Sequence, residues 1–116
     1  MNYQRLNVIS GWIVWAIATI VYVLTLEPTM PFWDCGEFIA SAYKLEVGHP
    51  PGAPLFMLIG RFFSAMVGGN TELVAYMVNM ISALASSFTI LFLFWTITHF
   101  AKRILIHQKT LTIYDI

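Results

Sequence analysis

The sequence predicts an all-α integral membrane protein, with two transmembrane helices joined by an outer loop that carries amphipathic, interfacial helices. Three observations predict it. Hydrophobic residues make up 59% of the 116 residues and charged ones only 10%, where a soluble domain runs at about 45–50% and about 25%; the mean hydropathy is +0.74. The apolar residues collect in two long charge-free runs. The charges sort by position: Arg5 precedes the first run and Lys102, Arg103 and Lys109 follow the last, while Glu27, Asp34, Glu37, Glu46 and Glu72 lie between them. No basic patch points to nucleic acid. The single cysteine, Cys35, excludes an intrachain disulfide. It has no metal-ligand spacing around it and reads as a small, half-buried residue rather than a metal ligand.

The first run, Leu6–Leu26, carries no charge and reaches across a hydrocarbon core of about 30 Å at about 1.5 Å per residue. It exceeds the apolar region of a signal peptide, and no small-x-small cleavage site follows, so it reads as a signal anchor. Pro28 and Pro31 then end the helix and hold the chain extended. From about Cys35 to Glu46 the pattern is helical, with Phe38, Ile39, Ala42, Tyr43 and Leu45 on one side. His49-Pro50-Pro51-Gly52-Ala53-Pro54 makes a stiff connection in which Gly52 permits a sharp reversal. Leu55–Val67 is apolar but short and holds Arg61 in its middle, too costly for a span. It reads as an amphipathic helix at the outer interface or against partner helices. Leu73–Ala101 is the second span, with Asn70 and Thr71 as caps and Ser82, Ser86, Ser87 and Thr89 as a stripe for helix packing.

Two spans place Arg5 and the Lys102-Arg103-Lys109 cluster on one side, as the positive-inside rule requires. The expected domain map is therefore span 6–26, extracytoplasmic loop 27–72, span 73–101 and cytoplasmic tail 102–116, with both termini cytoplasmic. Chemistry concentrates in the outer loop. Phe32 and Trp33 suit anchoring at lipid headgroups. Asp34-x-x-Glu37 admits two readings: a capping box at a helix start, or a carboxylate pair in which one member accepts a proton from a hydroxyl while the other positions a partner or a metal ion. His49 can hydrogen-bond a phosphate or orient a carboxylate. Arg61 and Lys44, the cations of this segment, can pair with its acids or bind an anionic headgroup.

Trp33-Asp34-Cys35-Gly36-Glu37-Phe38 followed by Gly48-His49-Pro50-Pro51-Gly52-Ala53-Pro54 resembles the N-terminal signature of a bacterial family of multi-span membrane proteins. That family was first catalogued as a domain of unknown function and is grouped as glycosyltransferase family 117, related to eukaryotic transmembrane protein O-mannosyltransferases. The resemblance implies the N-terminal part of a GT-C-like fold in a bacterial inner membrane. It implies transfer of a sugar, with mannose as one candidate, from a polyprenyl-phosphate-linked donor to a hydroxyl acceptor on protein, outside the cytoplasm. The lipid-linked donor is the substrate, no cofactor is certain, and a divalent metal is left open. Carried onto this chain, Asp34 is the general base and Glu37 a supporting carboxylate; His49, Arg61 and Trp33 are substrate contacts. Such enzymes have many spans, so the expectation is a piece whose remaining helices complete the site. The alternative is a non-catalytic two-span subunit or scaffold whose loop binds a partner. A transporter fits less well, because neither span carries a charge at its centre.

Overall fold

The computed structural model describes residues 2–30, 32–50 and 52–114, and the side chains of 108–114 are excepted. Pro31, Pro51 and the side chain of Lys109, all used in the sequence reading, lie outside the described residues. Every regular element among the described residues is helical: α1 (Tyr3–Leu24), α2 (Cys35–Lys44), α3 (Pro54–Ala65), a 3-10 turn (Thr71–Leu73) and α4 (Val74–Tyr114). The segments Tyr3–Leu24 and Thr71–His107 are long and apolar enough to cross a membrane. The helix of the second run continues through 102–114 instead of ending at Ala101. No proline or glycine interrupts it there.

The chain forms two compact units. The first joins residues 1–20 to 86–116. Its contacts are aromatic: Trp12 meets Trp15 and Trp95 edge-on at 5.4 and 6.0 Å between centroids, and Trp15 lies 5.2 Å from Phe88. Gly11 is what lets the two helices approach. A Cβ at Gly11 would stand 2.3 Å from the Trp95 Nε1. Away from this seam, Ile13, Ile17, Phe92, Ile97 and Phe100 are all more than half exposed. Such an apolar exterior needs lipid or further helices around it.

The second unit, residues 21–85, holds the loop that the sequence reading expects to be the outer one. Ile39, Val74 and Val78 form its core, with Tyr43, Phe56, Val67, Ala75 and Ile81 packed around them. α2 and α3 meet where Gly60 faces the fully buried Ala42; a Cβ at Gly60 would lie 2.7 Å from that of Ala42. The end of α2 falls at Leu45, whose left-handed backbone (φ 56°) lets the Glu46 amide return to the Ser41 carbonyl at 2.9 Å. That reversal shortens the helix by two residues against the predicted Glu46. α3 begins at Pro54, where the missing amide costs nothing. Asn70 accepts the Glu72 amide at 3.1 Å, the expected cap ahead of α4. Asn79 of α4 donates to the carbonyls of Glu27 and Thr29 at 3.0 and 3.2 Å and so fixes the connection that follows α1.

The Gly60–Ala42 contact makes a stability prediction. Gly60→Val should destabilise the second unit by about 1–3 kcal/mol, the usual cost of overpacking, and this exceeds the gain of less than ~1 kcal/mol from replacing a helical glycine. Ala42→Gly in the same chain should restore part of the loss. Denaturant titration in detergent micelles measures the double-mutant cycle; additive effects would show that the two positions are not in contact.

Candidate functional site

The chain turns sharply into α2. Trp33 occupies the left-handed region (φ 71°) with its indole 91% exposed, a conformation that costs a bulky residue about 1–2 kcal/mol. Asp34 follows at the N-cap but in helical geometry (φ −73°, ψ −6°), and its side chain makes no capping bond. The capping box is therefore not formed. Its second member, Glu37, does not reach back to Asp34 but forward to the next loop.

Glu37 stands in the first turn of α2 and grips His49 twice. Its Oε1 accepts the His49 backbone amide at 2.7 Å, and its Oε2 accepts from the ring Nδ1 at 2.8 Å. Gly48 leaves room for this: a Cβ there would stand 3.2 Å from Oε1. The loop is closed from the other side by the Gly52 amide donating to the His49 carbonyl at 2.9 Å, with Gly52 at φ +70°. The imidazole rests edge-on to Phe38 (6.1 Å), which meets Phe56 of α3 the same way (5.8 Å). With Nδ1 committed to an acceptor-only carboxylate, the free nitrogen is Nε2. It faces Asp34 Oδ2 at 4.0 Å, beyond a direct hydrogen bond but within reach of one bridging water or hydroxyl.

The electrostatics follow from these bonds. The backbone amide of His49, then its ring, holds the Glu37 carboxyl below the usual carboxylate value. Glu37 in turn raises the His49 ring, through the hydrogen bond first and its charge second, with a smaller contribution from Asp34. All three side chains remain about half exposed. A half-open carboxylate, an oriented imidazole and a second carboxylate thus share one surface. That set can accept a proton from a hydroxyl and hold a neighbouring anion. Among the described residues no group of three or more histidine, cysteine, aspartate or glutamate side chains is placed to hold a metal ion.

The structure brings together Asp34, Glu37 and His49 but not Arg61, and Trp33 adjoins Asp34 in the chain with its side chain exposed. The guanidinium of Arg61 donates to the Tyr43 carbonyl and lies 5.5 Å from the centroid of the Tyr43 ring. There it satisfies the C-terminal end of α2, while the carboxylates occupy the N-terminal end. Lys44 stands near Glu46 at 3.9 Å. Cys35, the first residue of α2, is exposed rather than half buried. Sequence reasoning passed over a cavity of about 340 Å³ behind this surface, lined by Cys35, Phe38, Phe56, Val78, Asn79 and Ser82. An asparagine inside an apolar helical run was the mark that could have drawn attention to it.

Residues 34–115 match the family described as the protein O-mannosyl-transferase TMEM260 N-terminal domain. The chain is 37% identical over 79 residues to the protein O-mannosyl-transferase tmem260 of Dictyostelium discoideum, covering 68% of this chain and 10% of that protein. It is 37% identical over 84 residues to the protein O-mannosyl-transferase TMEM260 of Mus musculus, covering 72% and 12%. It thus spans about a tenth of the length of these relatives. No solved structure matches. The matched segment opens at Asp34 and takes in Glu37, His49 and both helices of the outer loop, and on that footing the chain belongs to the family of the TMEM260 protein O-mannosyl-transferase N-terminal domain.

Proposed function

We propose that this chain is the first-loop part of a membrane glycosyltransferase. The enzyme moves mannose from a polyprenyl-phosphate-linked donor to a hydroxyl on a protein acceptor. Tyr3–Leu24 and Thr71–His107 are taken as its spans, with the outer loop on the extracytoplasmic face and helices beyond this chain completing the site. The observation that carries the reading is the Asp34–His49–Glu37 cluster, a poised carboxylate beside an imidazole that a second carboxylate orients. The names of the relatives supply the sugar and the acceptor class.

In this reaction the bond between the sugar's anomeric carbon and the donor phosphate breaks, and its electron pair leaves with the polyprenyl phosphate. The acceptor oxygen bonds the anomeric carbon from the opposite face, and its proton passes to Asp34. Glu37 acts through His49 as a positioning residue. His49 Nε2, facing outward, is placed to meet the acceptor hydroxyl or a donor phosphate oxygen. Trp33 offers an exposed indole face beside Asp34 for a sugar ring. Arg61 would have to leave Tyr43 to reach a phosphate.

Asp34→Asn in the full-length protein should lower mannosyl transfer by about 10²–10⁴-fold, the usual worth of a general base, with membrane insertion unchanged. Transfer at the wild-type rate removes Asp34 from the role. Topology is open to separate measurement: in a full-length variant that retains Cys35 and no other cysteine, a membrane-impermeant maleimide should label it from the extracytoplasmic side, and labelling from the cytoplasm alone would overturn the orientation.

The clamp also fixes a pH dependence. Glu37 is lowered from 4.5, so its contribution is complete above that value and lost as pH falls through the depressed one. His49 is raised from 6.5, so its contribution is complete below that value and lost as pH rises through the elevated one. The pair is therefore strongest between pH 4.5 and 6.5. An NMR titration of the His49 ring should give a midpoint above 6.5 that returns toward 6.5 in Glu37→Gln; an identical midpoint in both proteins would exclude the clamp in solution.

A further inference from the structure

The first unit contains a polar cleft that the transfer reaction does not use. It has a volume of about 460 Å³ and lies between the first turns of α1, at Tyr3, Gln4 and Asn7, and the stretch of α4 that carries Trp95, His99 and Lys102. Tyr3 closes one wall, its hydroxyl donating to the Thr98 carbonyl at 3.4 Å and its ring lying 5.2 Å from the Lys102 ammonium.

The charge surrounding this cleft is unbalanced. Residues 1–20 contain no acid, and 86–116 contain only Asp115, against Arg5, Lys102, Arg103 and Lys109. Among the described residues, no carboxylate pairs with Arg5, Lys102 or Arg103. A lysine ammonium, two side-chain amides and an imidazole thus line one cavity with no anion of the protein's own. Lys102 also directly follows the apolar stretch that ends at Phe100-Ala101, and Tyr3 opens α1 at the matching level. That is the depth at which lysine and tyrosine meet lipid headgroups.

We propose that this cleft binds a phosphate group, that of an anionic phospholipid on the cytoplasmic leaflet. A phosphate presents several acceptor oxygens, enough to engage the ammonium and both amides together. A carboxylate offers fewer, and a zwitterionic headgroup would set a choline or ethanolamine cation against Lys102. The anionic inner leaflet supplies the ligand at the level of the cleft. The lipid assignment rests on the membrane reading given above; the anion site itself rests on the cleft.

Native mass spectrometry of the full-length protein, purified from membranes in mild detergent, tests this with phosphatidylglycerol and phosphatidylcholine offered separately. The wild type should retain phosphatidylglycerol in preference. Lys102→Gln should reduce that retention about fivefold, the worth of one lysine at an anionic surface. Gln4→Leu, which leaves the charge unchanged, should also reduce it, and Arg103→Gln, outside the cleft lining, should leave it intact. Displacement of the lipid by inorganic phosphate, itself abolished in Lys102→Gln, would keep the phosphate site and assign it to soluble phosphate esters. Equal retention of both lipids, or an Arg103→Gln loss as large as that of Lys102→Gln, would overturn the site. Alkaline extraction of the same membranes separates the two readings: a protein released by it refutes the spans, whereas one that stays but shows no preference refutes the cleft alone.

Discussion

The grip of Glu37 on His49 is the interaction on which the outer loop depends. One carboxylate accepts both the backbone amide and the ring of the same residue, so it fixes the position of the loop and the orientation of the imidazole together. Without it, residues 45–53 would be held to α2 chiefly by the turn at Leu45 and the edge contact of Phe38. The rest of the second unit is arranged around that grip. Gly60 against Ala42 brings α3 close enough to α2 for Phe56 to back Phe38, and Phe38 backs the imidazole. The three helix-borne residues Glu37, Phe38 and Phe56 thus hold a side chain that lies on a loop.

How much of this was legible in the sequence varied with the range of the interaction involved. Apolar runs and charge placement are local properties, and they located the two long apolar helices and the two shorter helices between them. The turn at Pro50–Gly52 was equally local, since proline and glycine carry their backbone preferences with them. What the pattern could not decide was where Glu37 points. Asp-x-x-Glu at a helix start has a local partner available, and the capping box is the local solution. The structure takes the distant one because Leu45 turns left-handed and returns the chain, bringing two hydrogen-bond donors of His49 to Glu37 at once. Arg61 was ambiguous for the same reason: its charge invited pairing with acids, whereas its neighbour in space is the carbonyl at the end of α2.

The two ends of α2 illustrate a division of charge that the amino-acid composition hides. Carboxylates stand at its beginning and a guanidinium at its end, each where the helix leaves backbone groups of the opposite polarity unsatisfied. Arg61 and Glu37 are thereby kept apart along the helix, since Tyr43 lies six residues beyond Glu37, about 9 Å at 1.5 Å per residue. An arginine close to the cluster would compete with His49 for Glu37 and would neutralise Asp34. Its placement at Tyr43 leaves His49 as the charged partner of both carboxylates.

That arrangement bears on how the proposed reaction would be driven. A protonated His49 cannot itself take the acceptor's proton, which leaves that task to Asp34. The same imidazolium favours a phosphate leaving group, on which negative charge grows as the sugar departs. A neutral His49 reverses both effects. Glu37, by raising the affinity of the ring for its proton, biases the site toward helping departure over helping deprotonation. This fits an oxocarbenium-like transfer, in which breaking the bond to the phosphate runs ahead of attack and the acceptor becomes acidic only as its oxygen bonds to the sugar. The order of events then asks little of Asp34 as a base at the start and more of it at the end, when the proton must leave an oxygen already bearing positive charge. A half-exposed carboxylate next to an oriented cation is adequate to that late task.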